Sequence, residues 1–325
     1  MPDRRGRSLV GSSTAHLSRP HWRDVGGGLL VIAVAVLFAW ALARPQISPP
    51  GAAVRAVADC AAVVTLGLAV VPFLDAGRHR AELVRSAAVP LTAGAALWLL
   101  AELVRLIVAT AQAASLSVGS VGVSTYTQFV LHTAVGRAGA LSALAAAVVC
   151  AMAVVAPRSV TVAVATIGVV AVGLVAHTLT GHLTDSPLGG LSVAVHALAA
   201  ALWCGTLAAL LLTVRHRGQW ARVLPRFAQV ALICVAVLVL AGVAAGLATV
   251  GAPRDLYETG YGRLLLAKVL VTVALTMLAW RNRTHWLPAA RAHRATAGLS
   301  RSRTLVELAI MAVALTLGAA LAVTG

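Results

Sequence analysis

Apolar residues fall into nine long runs, separated by short polar or basic stretches. Most approach the ~20 residues that a helix needs to cross a bilayer. The runs predict helices over about 27–43, 54–74, 86–111, 137–156, 159–180, 191–214, 227–250, 262–280 and 304–324. Ala, Gly, Ser and Thr are abundant within them, and small residues are what let helices pack closely in lipid. The pattern predicts an all-α fold, a polytopic transmembrane helix bundle of about nine spans. It forms one transmembrane domain over 27–325, preceded by a polar, basic segment over 1–26. That segment is long for a signal n-region, and no small-residue cleavage site follows the first run, so the first helix is read as uncleaved. The stretch 112–136 is rich in Gly, Ser and Thr, carries no charged residue, and reads as a loop.

Composition strengthens this picture. Hydrophobic residues make up 60% of the 325 and charged residues 11%, where a soluble domain carries about a quarter charged. The net charge of +16 would suit nucleic acid, but the arginines sit in short connections between runs. With the N-terminus inside, the inner segments hold 19 arginines and the outer segments five. This predicts an N-in, C-out multi-pass protein of the cytoplasmic (inner) membrane, with the lipid bilayer as partner and no nucleic acid. It also places 177–190 on the outer side.

No Walker motif, CPC or DKTG stands in the chain, so an ATP-driven pump is not expected. Four methionines are too few to line a copper(I) channel. No Ser/His/Asp or HExxH arrangement suggests hydrolysis, and the chain is not expected to be an enzyme. The four cysteines, Cys60, Cys150, Cys204 and Cys234, form no CxxC and read as small buried hydrophobes.

The candidate chemistry gathers between His177 and Gly205, HTLTGHLTDSPLGGLSVAVHALAAALWCG. His182 follows the fifth helix, His196 lies about one turn inside the sixth, and His177 is about a turn below His182. Histidines at similar depth on an outer hairpin suit a first-row metal. Interhelical hydrogen bonding and haem ligation are the competing readings. Asp185, in Asp185-Ser186-Pro187, reads first as a turn residue and second as an accessory ligand. His132, in the preceding outer loop, is another accessory candidate.

Further ionisable residues sit in the outer half. Asp59 is near the outer end of the second helix. Glu102 and Arg105 are three apart and share a face. Lys268 lies about six residues, or ~9 Å, into the eighth helix. An ammonium at that depth is costly, so Lys268 is expected to face the interior and pair with Glu102 or Asp59, Glu102 being preferred. Together these four would form a polar pocket beneath the histidines. Glu307 is expected at the inner interface, and most tryptophans as membrane anchors.

Several stretches resemble a known family in order and spacing. His196-Ala-Leu-Ala-Ala-Ala-Leu-Trp203-Cys-Gly205, Thr180-Gly181-His182, Thr133-Ala-Val-Gly136-Arg137, and Tyr261-Gly262-Arg263-Leu-Leu-Leu-Ala-Lys268 with Asn282-Arg283 resemble the copper-resistance protein D (CopD) family over about 130–290. The resemblance implies copper uptake, transport or tolerance at a bacterial inner membrane. It implies copper ion as the bound species, His182 and His196 as its ligands, and a separate extracytoplasmic CopC-type protein as a possible partner. Cys204 stands where the family pattern suggests a small or apolar residue, which leaves open a thiol contribution. The alternatives are a haem-binding electron carrier of the b-type cytochrome kind, and a non-transporting factor that delivers copper for oxidase assembly.

Overall fold

The computed structural model describes residues 22–43, 49–156, 159–177, 187–249, 254–288 and 296–324. Among these residues all regular structure is helical. The helices are α1 (Trp22–Ala43), α2 (Pro49–Val70), α3 (Gly77–Ala113), α4 (Val123–His132), α5 (Ala134–Val155) and α6 (Val160–Ala176). They continue with α7 (Pro187–Thr213), α8 (Arg217–Thr249), α9 (Asp255–Glu258), α10 (Gly260–Arg281) and α11 (Ala297–Thr324). A π-helical turn, Asn282–Trp286, prolongs α10.

Each of the nine apolar runs falls on one helix: α1, α2, α3, α5, α6, α7, α8, α10 and α11. Seven of these are long and apolar enough to cross a membrane; the apolar part of α1 (Leu30–Ala43) and α6 are shorter. The helices outrun the expected starts on the basic side. α3 begins at Gly77 rather than 86, α8 at Arg217 rather than 227, and α11 at Ala297 rather than 304. Apolarity marks the thickness of hydrocarbon, and the polar turns below it are helical too. α3, with 37 residues, is ~55 Å long against a hydrocarbon core of ~30 Å. The expected loop 112–136 contains α4.

α2 is the axis of the bundle. It packs against α1, α3, α6, α7 and α11, and its span is the most buried of the seven. Its tightest contact is with α7. A Cβ on Gly67 would run into the backbone carbonyl of Gly205, and a Cβ on Gly205 would run into that of Val63. Two backbones meet there with no room for any side chain. The glycine after Trp203-Cys204 is therefore a packing requirement.

One corner is used twice. Thr133 caps α5 by accepting from the Gly136 N–H at 2.9 Å, and its hydroxyl donates to Phe129 O at 2.7 Å. Gly136 lacks a side chain because a Cβ would strike that same carbonyl. Arg137 donates to Leu131 O at 3.2 Å. Thr259 caps α10 in the same way, accepting from Gly262 N–H at 2.9 Å, and Arg263 donates to the Tyr257 and Glu258 carbonyls at 3.2 and 3.1 Å. Thr-x-x-Gly-Arg is thus a repeated short-helix-to-long-helix turn, with Arg as its clasp.

The arginine-rich connections meet at one end. Arg222 pairs with Asp75 at 3.0 Å, Arg226 donates to Leu74 O at 3.2 Å, and Arg283 donates to Ala228 O at 3.2 Å. At the other end Arg263 donates to Leu42 O at 2.9 Å. Two expectations change. Trp98, Trp203, Trp220 and Trp286 are buried in the core instead of anchoring at an interface. Glu307 is buried as well and accepts from Asn282 Nδ2 at 2.7 Å.

Two outcomes are expected. Gly67→Ala should destabilise the protein by about 3 kcal/mol or more, since backbone cannot yield to the new methyl. Gly168→Ala, with nothing within 4 Å of its Cβ position, should be neutral or stabilising by up to about 1 kcal/mol. Thermal unfolding in detergent compares the two, and equal losses would contradict the crossing. Reporters fused at the two ends should lie on opposite sides of the membrane, the N-terminal one inside; reporters on the same side would contradict an odd number of spans.

Candidate functional site

The polar residues expected in the outer half form two centres. The first lies between α3, α5 and the end of α6. Glu102 is 1% exposed, so in an apolar environment its carboxylate needs a full set of donors. Arg105 lies 3.4 Å away, Ser142 Oγ donates at 2.9 Å, and Trp98 Nε1 donates at 3.4 Å. His177 Nε2 stands 3.2 Å from the same carboxylate. Arg105 Nη2 is 2.7 Å from His177 Nδ1. A guanidinium can only donate, so Nδ1 accepts and the ring proton sits on Nε2, which donates to Glu102. His177 is a neutral bridge between the two charges, with both ring nitrogens engaged.

The neighbours are shaped for this network. The Trp98 ring lies over Gly173 of α6, where a Cβ would come within 2.7 Å of the indole. Gly139 of α5 leaves space for Leu106, with the His177 ring beyond. Asp59 faces Arg55 at 3.8 Å within α2, and Arg55 lies within electrostatic range of Glu102 and Arg105. Two acids, two arginines and a neutral histidine leave this centre with no net charge.

The second centre lies between α7, α8, α10 and α11. His196 is half-buried and its Nδ1 is 3.2 Å from the Leu238 carbonyl of α8. A carbonyl only accepts, so Nδ1 carries the proton and Nε2 keeps its lone pair. Gly242, one turn along α8, makes room: a Cβ there would lie 3.5 Å from the imidazole. Ser192, a turn before His196, donates to Ala241 O at 2.8 Å and holds α7 to α8.

Lys268 belongs to this centre. Its ammonium points to α11, 3.4 Å from where a Gly318 Cβ would be, and it lies within electrostatic range of His196. The interior orientation follows the depth argument, but the expected carboxylate pairing is not found. Among the described residues no Asp or Glu lies within ion-pair distance of Lys268; Glu102 is spent on Arg105 and His177, and Asp59 on Arg55. Which acid a lysine meets depends on how helices rotate about their axes, and depth does not fix that.

His182 and Asp185 lie outside the described residues. His132 is exposed at the end of α4, and Cys204 is buried in the main core beside the Gly67–Gly205 crossing. Among the described residues no group of three or more His, Cys, Asp or Glu could hold a metal. Ser142, Arg55 and the glycines at 242 and 318 were missed as parts of these centres. Ser142 carries no signal in a Ser-rich chain, whereas Arg55, four residues before Asp59, was detectable by helical spacing.

Two family models match the chain. One, described as Copper resistance protein D-like, N-terminal domain, covers residues 46–189. The other, described as Copper resistance protein D, covers residues 221–323. The chain belongs to the copper resistance protein D family. The matches reach beyond 130–290 on both sides. They leave His196, Trp203 and Gly205 between them, so a role for His196 rests on its own geometry. No curated protein and no solved structure matches the chain. Membership of this family associates the chain with copper handling, and its many apolar helices with a multi-pass membrane location.

The two centres should respond oppositely to loss of a cation. Arg105→Leu leaves Glu102 buried beside a histidine that can no longer bridge two charges, and should cost about 3–5 kcal/mol. Lys268→Met removes an ammonium that has no acidic partner among the described residues and should be neutral or stabilising. Melting temperatures of both purified variants decide this; a large loss for Lys268→Met alone would contradict the assignment.

Proposed function

We propose that this family member carries copper across the membrane through the α7–α8–α10–α11 centre, with the ion held first at the outer side by His196 Nε2 and His182. The observation that carries the reading is the His196 tautomer. Metal-bound histidines almost always donate the other ring N–H to a carbonyl or carboxylate, which fixes the ring and raises its basicity. His196 does this through Leu238 O, on a partly buried helix face, with Nε2 left to coordinate. The imidazole chemistry fits copper. His177 fits less well, because coordination would require it to release Arg105 or Glu102.

Lys268 gives the site its second property. An ammonium within range of the bound ion disfavours any cation there, so the site binds copper weakly. A permeation site needs this, since an ion must leave as well as arrive. In this reading copper enters from the outer face, delivered free or by a separate CopC-type protein. It leaves His196 toward the inner half, past the small residues lining α7, α8 and α11. The chain itself performs no bond chemistry on the ion.

Copper flux into proteoliposomes holding the full-length protein tests the proposal. His196→Ala should reduce flux at least tenfold while leaving insertion intact and costing about 1 kcal/mol of stability for the lost Leu238 hydrogen bond. Lys268→Met should tighten copper binding severalfold and slow release. Copper binding without flux would favour a delivery factor, and a Soret band in the purified protein would favour haem.

A further inference from the structure

A narrow cleft with an internal volume of about 100 Å³, open along one side, lies between α8 and α10. Its walls are mostly apolar and include Phe227, Leu232 and Val235 of α8, Trp280 of α10 and Trp286 of the π-helical turn, with Trp203 of α7 behind. From Leu224 to Val235 it runs eleven residues along α8, or ~16 Å. That is close to the hydrocarbon depth of one leaflet, half of ~30 Å. α8 and α10 are the two least buried of the long spans, so the cleft opens on the lipid-facing surface.

The mouth of the cleft is basic. It lies at the end where the arginine-rich connections meet. Arg283 lines it, is exposed, and reaches across to α8 through the single bond from Nη1 to Ala228 O at 3.2 Å. Among the described residues the other guanidinium N–H groups of Arg283 have no partner. Arg226 and Arg281, both exposed, adjoin the lining residues Phe227 and Asn282. The acids near this end are committed elsewhere: Asp75 and Glu82 face Arg222, and Glu307, at the back of the cleft, accepts from Asn282.

We infer that the cleft is a binding site for one anionic phospholipid. An acyl chain fills the apolar slot, and the phosphate sits at the mouth on the unspent donors of Arg283. A leaflet-deep apolar slot suits a single chain, and basic pockets between membrane helices on the arginine-rich side select acidic headgroups. The lipid would join α8 to α10, two helices flanking the His196 centre that are not among each other's main packing partners.

Native mass spectrometry of the full-length protein, stripped of lipid in detergent and titrated with phosphatidylglycerol or phosphatidylcholine of matched chains, tests this. Wild type should bind one phosphatidylglycerol more tightly than phosphatidylcholine. Arg283→Gln should weaken phosphatidylglycerol about fivefold, the effect of one basic residue near an acidic surface, and leave phosphatidylcholine unchanged. Leu232→Trp, at a side chain 48% exposed in the cleft wall, should weaken both without touching the core. Equal affinity for the two lipids in wild type, or phosphatidylglycerol binding unmoved by both substitutions, would overturn the inference. Displacement of the lipid by a neutral isoprenoid quinone would overturn it as well.

Discussion

Where α2 crosses α7, Gly67 and Gly205 bring two backbones into contact, and the bundle is arranged around that crossing. In lipid, apolar side chains gain little by leaving hydrocarbon for another helix, so close packing of small residues has to fix helix positions. The crossing sets the distance between the central helix and the helix that carries His196. Nine residues separate His196 from Gly205, or ~13 Å along the axis, which puts the imidazole well above the contact. There α7 is held to α8 by Ser192 and His196 on consecutive turns. The remaining faces of α2 take α1, α3, α6 and α11.

Charge divides this end of the bundle into two unlike regions. Around Glu102 everything is matched: carboxylate, guanidinium, bridging imidazole and hydroxyl from three helices. Such a network ties α3, α5 and α6 together and leaves no lone pair on His177 for an ion. Around His196 the charge is unmatched. A carbonyl fixes the ring, Gly242 of α8 leaves space for it and Gly318 of α11 leaves space for Lys268, which meets no acid among the described residues. One region holds the helices; the other keeps an imidazole lone pair and a cation-repelling charge in reach of each other.

Much of this was legible in the sequence, and the reasons differ by feature. The nine runs could be read because hydrocarbon thickness sets their length. The added turns of α3, α8 and α11 could not, because polar helix outside the hydrocarbon has no such signal. Glu102 and Arg105 were legible as a pair from i,i+3 spacing, and Lys268 as interior from its depth. Its missing partner was not, since two residues at equal depth meet only if their helices are rotated toward each other. His177 and His196 both read as candidate ligands; the bonds made by Nδ1 separate them, one accepting from Arg105 and the other donating to Leu238. The two Thr-x-x-Gly-Arg corners stand in plain view, yet their equivalence becomes evident once Thr133 and Thr259 are seen capping long helices after short ones.

The proposed route requires His196 Nε2 as a copper ligand at the outer side. X-ray absorption at the copper edge on the full-length, copper-loaded protein addresses that atom most directly. It should show the multiple-scattering signature of two coordinated imidazoles, falling to one in His196→Ala and staying at two in His177→Ala. A signature unchanged by His196→Ala, or lost with His177→Ala alone, would contradict it.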